Sequence, residues 1–81
     1  MYQNTAIIGT GSCLPEGQLC NHRLAERLGV TPDWILRRTG ITRRHVAAPD
    51  QATSDLAVEA ARAAVGTAGI DAAAIDLIIV A

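Results

Sequence analysis

The chain has 81 residues and a mass of 8.5 kDa, and 49% of it is hydrophobic, which argues for a folded chain rather than a disordered one. That apolar half is light in bulk: there is no Phe, one Trp, one Tyr and one Met, while fifteen residues are Ala. Seven basic and eight acidic residues give a net charge of -1, which speaks against a general nucleic-acid binder, and no apolar run approaches the ~20 residues of a membrane helix. A large buried side chain contributes roughly 1.5–3 kcal/mol and Ala far less, so an isolated globule of this composition would be marginal. Length and composition therefore oppose a complete large enzyme. They leave a small Ala-rich domain, an obligate oligomer, or a piece of something larger.

In chain order, Asn4–Gly9 reads as a strand that stops at a glycine, followed by tight turns at Gly9–Ser12 and at Pro15–Gly17. The apolar stretch Ala6–Ile8 is short and has no basic residue before it, so it does not read as a signal peptide. Cys13 and Cys20, with no export signal, suggest reduced thiols in a cytoplasm. Asn21 is a candidate N-cap for a short helix to Leu28, with Leu24 and Leu28 on its buried face and Gly29 ending it. A second short helix starts at Thr31: Thr is a good N-cap, Pro32 suits the first helical position, and Asp33 lies near the positive dipole end. Thr39-Gly40 closes it. Ile41–Val46 then reads as extended, with Ile41, Arg43 and His45 on one side and Thr42, Arg44 and Val46 on the other.

The strongest helix runs from about Ser54 to Ala68, capped by Thr53 or Ser54 and ended by Gly69. Its stripe of Leu56, Ala60, Ala63 and Ala64 is mostly Ala, which lets a helix axis approach its neighbour closely. The segment Leu77–Ala81 is continuously apolar and β-branched, as in a strand buried on both faces of a parallel sheet. A free end there would be an exposed, sticky edge, so residue 81 is expected not to be a natural end. The expected architecture is α/β: the opening strand–helices–strand portion of a larger domain, with a right-handed crossover.

Several constellations invite a chemical reading. Gly9-Thr10-Gly11 follows an expected strand, but Leu14 stands where a dinucleotide fingerprint needs its third glycine, and a turn rather than a helix comes next. Cys13, Cys20, His22 and His45 match no compact zinc spacing, so small buried thiols and a polar contact for His45 are the expected roles, and no metal site is assigned. Arg43 and Arg44 alternate to opposite sides and do not form one patch. The helix from Thr31 is different. Trp34 and Arg38 are i, i+4 and share a face; Asp33 and Arg37 are also i, i+4 and allow a local ion pair, leaving Arg38 the better candidate for an outside anion. One reading is a stacking surface beside a phosphate ligand; the other is a Trp that packs the helix down with its Arg solvated.

These residues, in this order, resemble the start of a 3-oxoacyl-[acyl-carrier-protein] synthase III, a condensing-enzyme family of the thiolase superfamily. The matching stretches are Ile7–Ser12 with Leu14–Glu16, Asn21, Asp33-Trp34-Ile35, Arg38–Ile41, Arg44-His45, Ala47–Pro49, Thr53–Ala57, Ala68–Ile70 and Ile75–Ala81. Trp-Ile-x-x-Arg-Thr-Gly-Ile is the most specific run. Cys13, where an aromatic or aliphatic is common, and Pro32, in place of a more acidic residue, depart from the pattern and hint at a specialised relative.

The resemblance implies a thiolase-like αβαβα layered fold of two similar halves, with residues 1–81 as the N-terminal portion of the first half. It implies that Trp34 stacks on the adenine of coenzyme A and that Arg38 helps hold its phosphates or the acyl carrier protein. A threonine that touches the adenine falls at Val30 or Thr31. The family's Cys nucleophile, with its His and Asn, lies downstream, so no catalytic residue is assigned within residues 1–81. The function implied is an acyltransferase in fatty-acid or polyketide biosynthesis. It would take acyl-CoA as substrate, with no tightly bound cofactor, form an acyl-Cys thioester and condense it with malonyl carrier protein. Alternatives are acyl transfer to a hydroxyl or amine without condensation, or a non-catalytic coenzyme A-binding or interface module. A cytoplasmic homodimer that engages the acyl carrier protein, without nucleic acid or membrane, completes the implied picture.

Overall fold

In the computed structural model, which describes residues 4–81, Gly17–Cys20 (β1) pairs antiparallel with Arg43–Val46 (β2) in the register Gly17↔Val46 to Cys20↔Arg43. Between them lie two eight-residue helices, Asn21–Leu28 (α1) and Pro32–Thr39 (α2). Thr53–Ala68 (α3) and a 3₁₀ turn at Ala72–Ala74 follow. The chain divides into two units: residues 14–52, and residues 4–13 with 53–81.

Within residues 14–52, α1 packs on α2 and on β1. Its buried apolar positions are Ala25 and Ile35. Both helices end as expected, on Gly29 and Gly40 in the left-handed conformation at φ 68° and 69°, where a Cβ would be strained. Thr39 stitches the exit of α2: its hydroxyl donates to the Ile35 carbonyl at 2.7 Å and accepts the Ile41 N–H at 3.1 Å.

The start of α1 differs from expectation. Cys20, not Asn21, occupies the cap position, and its side chain makes no capping bond. Asn21 is the first helical residue and is only 5% exposed. Its side chain turns away from its own helix, donating to the Ile41 carbonyl at 2.6 Å and accepting from Arg44 Nη2 at 3.2 Å. Its backbone N–H reaches the Thr42 carbonyl at 3.0 Å. The buried face of α1 is accordingly Asn21–Ala25 rather than Leu24–Leu28; Leu24 is half-buried and Leu28 is 59% exposed. A buried amide must find partners, and the Ile41 carbonyl and Arg44 supply them, so Asn21 takes the inward position.

β1 was not expected. Its four residues carry little β signal, and Pro15–Gly17 reads as turn; the pairing is with a segment more than twenty residues on, beyond any local pattern. Conversely, neither Asn4–Gly9 nor Leu77–Ala81 is a strand among the described residues, and Leu77 to Val80 lie 76–86% exposed. Apolar runs report a demand for burial, but a strand also requires a ladder partner. The expected parallel crossover is thus not a hydrogen-bonded feature of the described residues, whose one strand pair is the antiparallel β1–β2.

In the other unit, the Ala face of α3 does what its composition predicts. A Cβ built on Gly9 would stand 2.5 Å from the Ala64 carbonyl and 2.8 Å from the Ala68 Cβ, and one on Gly11 would overlap the Ala60 carbonyl and the Ala64 N. The glycine segment therefore lies directly on the α3 backbone, which only Gly facing Ala permits. No described helix is long and apolar enough to cross a membrane.

Three stability outcomes follow. Gly11→Ala lowers the unfolding free energy by about 1–3 kcal/mol, the cost of overpacking against backbone, whereas Gly66→Ala, inside α3 and in open space among the described residues, raises it by about 0.5–1 kcal/mol. Chemical-denaturation midpoints read both. Asn21→Ala costs about 2–3 kcal/mol by the same measurement, because it strips the Ile41 carbonyl and Arg44 of their partner.

Candidate functional site

The first turn of α2 is built by three residues. Thr31 is the N-cap, in extended conformation, and its Oγ1 accepts the Trp34 N–H at 3.1 Å. Pro32 opens the helix, where a missing N–H costs nothing, and Asp33 sits in the first turn. Trp34 is then the third helical residue, 44% exposed. One turn on, the Arg38 guanidinium lies over the indole, 4.4 Å from the ring centroid, a cation–π contact. The neighbouring Arg37 is held by Asp33, Nε to Oδ2 at 2.8 Å, as the i, i+4 spacing predicts. Both partners are largely exposed, so this pair contributes little stability. It fixes which arginine is locally neutralised: Arg38 has no carboxylate partner among the described residues.

This arrangement presents a flat aromatic surface with an un-neutralised planar cation on it. Such a surface suits a ligand that carries both an aromatic ring and negative charge, since the indole offers stacking and the guanidinium offers bidentate donors to an oxyanion. A shallow depression of about 240 Å³ lies elsewhere on α2, lined by Asn21, His22, Pro32, Asp33, Leu36 and Thr42. Leu36 and Arg38 are about 200° apart around the helix, so the depression and the Trp34–Arg38 surface face different directions.

The remaining sequence candidates take structural roles or none. His45 Nδ1 lies 2.7 Å from the Pro15 carbonyl, which can only accept, so Nδ1 carries the proton in this contact. Arg44 is half-buried and bonded to Asn21, while its Nη1 is enclosed without a partner among the described residues; Arg43 is exposed. Cys13 and Cys20 are free thiols, half-buried rather than buried as expected. Among the described residues no three His, Cys, Asp or Glu side chains gather as metal ligands would. Gly9 and Gly11 are used for close contact with α3. The residue that pattern reading missed is Asn21 in its bridging role, because its side-chain partners are 20 and 23 residues away.

No family model matches the chain. Curated relatives do. It is 56% identical over 75 residues to the beta-ketoacyl-[acyl-carrier-protein] synthase III of Thioalkalivibrio sulfidiphilus, covering 93% of this chain and 23% of that protein. It is 53% identical over 77 residues to the Rhodospirillum rubrum protein of the same name, covering 95% and 24%. Among solved structures, 3-oxoacyl-(acyl carrier protein) synthase III from Pseudomonas aeruginosa PAO1 superposes with a TM-score of 0.65 at 46% identity, over 78% of this chain and 19% of that one. The priming beta-ketosynthase of the R1128 polyketide pathway superposes with a TM-score of 0.78 at 37% identity, over 86% and 21%.

The fold is thus that of the thiolase-like ketosynthases, represented here by a partial α/β portion. Within that class the chain belongs to the 3-oxoacyl-[acyl-carrier-protein] synthase III family. It spans about a quarter of the length of the curated relatives it matches, 23–25%.

Proposed function

We propose that the full-length protein is an acyl-CoA-dependent condensing synthase of fatty-acid or polyketide biosynthesis, and that residues 1–81 supply part of its coenzyme A mouth. The observation that carries this reading is the Trp34–Arg38 pair, in a chain about half identical to such synthases. Coenzyme A carries an adenine and phosphates at one end. The indole of Trp34 would stack the adenine while Arg38 engages phosphate oxygens; the adjacent Thr31 caps the helix that bears both. No tightly bound cofactor is required.

The chemistry itself is assigned to residues outside this stretch. A cysteine thiolate attacks the acyl-CoA carbonyl, forming the acyl-Cys thioester and expelling coenzyme A thiolate. Malonyl carrier protein then loses carbon dioxide, and the resulting carbanion attacks the acyl-Cys carbonyl, which forms the new carbon–carbon bond and returns the cysteine thiolate. Neither Cys13 nor Cys20 is assigned this role. The acyl carrier protein is the second substrate partner, and a homodimer in the cytoplasm is the proposed state.

Base–aromatic stacking contributes about 1–3 kcal/mol per base, so Trp34→Ala in the full-length protein is expected to weaken coenzyme A binding about 5- to 150-fold. It should leave binding of an acyl-pantetheine thioester, which lacks the adenine, within twofold. Titration calorimetry with both ligands checks this, and unchanged coenzyme A affinity refutes the assignment of Trp34. Malonyl-dependent release of carbon dioxide separates condensation from acyl transfer to a hydroxyl or amine.

A further inference from the structure

We propose that Thr31 is a positioning residue for Trp34: its side chain does not touch the ligand but sets the indole so that Arg38 can lie on it. The ligand part of this proposal rests on the coenzyme A reading above; the positioning part does not.

The two ends of α2 are held unequally. At the exit, the Gly40 N–H reaches the Leu36 carbonyl at 2.8 Å, and the Thr39 hydroxyl adds bonds in both directions. At the entry, the first backbone bond, from the Ile35 N–H to the Thr31 carbonyl, is long at 3.3 Å. Pro32 has no N–H to contribute. The Trp34 N–H is one of the donors that a helix leaves without an internal partner, and the Thr31 hydroxyl is what satisfies it. The side-chain bond that secures the entry of this short helix therefore ends on the residue that bears the indole.

Register with Arg38 depends on that turn. Residues i and i+4 share a face only while the intervening backbone is helical, and a frayed first turn removes Trp34 from beneath the guanidinium. The hydroxyl's acceptor function is committed to the cap, so the role needs an acceptor of the right reach, not a threonine. Serine, asparagine and aspartate meet that need; valine keeps the shape and does not.

The test uses the full-length protein labelled with 5-fluorotryptophan, with the Trp34 ¹⁹F resonance assigned from Trp34→Phe. In the otherwise unsubstituted protein Arg38→Gln shifts that resonance, because it removes the cation from the ring. Thr31→Val is expected to move the resonance and to abolish its dependence on Arg38, while Thr31→Ser and Thr31→Asn preserve both. Coenzyme A affinity falls about three- to tenfold in Thr31→Val, from the typical strength of a cap, and stays within twofold in Thr31→Ser. If Thr31→Val leaves the resonance and its Arg38 dependence unchanged, the proposal is overturned, whatever the ligand. It is equally overturned if Thr31→Ser weakens coenzyme A binding as much as Thr31→Val with the resonance unmoved, since the threonine would then be a ligand contact. If the resonance responds as expected but neither Thr31→Val nor Trp34→Ala alters coenzyme A binding, positioning stands and the coenzyme A reading falls.

Discussion

The Asn21 side chain is the constraint on which residues 14–52 depend. It is a buried polar group, and its amide is satisfied from two places at once: the Ile41 carbonyl after α2 and the Arg44 guanidinium in β2. Its backbone N–H adds a third tie, to Thr42. A buried amide left unpaired costs more than the bond itself contributes, so these contacts act as a requirement rather than a bonus. They fix where the chain leaving α2 must pass relative to the start of α1. The β1–β2 pairing, the His45 contact to Pro15 and the packing of α1 on α2 are all compatible with that one path.

Composition explains why such a tie is needed. The unit buries few of its large apolar side chains: its buried apolar positions are one Ala and one Ile. Burial at that scale fixes few degrees of freedom. Directional contacts then do more of the specifying: a threonine cap at the entry of α2, a threonine relay at its exit, glycines that reverse the chain, and an asparagine between segments. In the other unit the same lightness has the opposite use, since Ala and Gly bring backbone onto backbone at Gly9 and Gly11.

What was legible in the sequence is what local chemistry determines. Thr31, Pro32 and Gly40 bounded α2 correctly, and the Asp33–Arg37 and Trp34–Arg38 relations came from helical spacing alone. The Ala stripe of α3 and its stop at Gly69 were equally readable. Non-local matters were not. Asn21 reads as a cap because asparagine is a good cap, and only the presence of Ile41 and Arg44 recruits it elsewhere. β1 exists because β2 is there to pair with it. Ile7, Ile8 and Leu77–Val80 carry a strong strand pattern, yet no described segment completes a ladder with them.

The size of the Trp34–Arg38 effect limits what it can do. A cation over an exposed ring contributes about 0.5–1 kcal/mol, and stacking one base about 1–3 kcal/mol. Micromolar binding requires about 8 kcal/mol. The pair therefore supplies a minority of any such affinity, and the rest must come from other contacts along the ligand. Its value lies in preorganisation: with the indole set by the α2 cap and Arg37 engaged by Asp33, the side chain left over the ring is an arginine whose charge is not already spent. A ligand that meets this surface loses less freedom on ordering it than it would on a flexible loop. That favours an anchoring role for the remote end of a long ligand, with the reacting end selected elsewhere. Under the proposed coenzyme A reading, such a surface would suit synthases of different starter preference, because adenine and phosphate are common to every acyl-CoA.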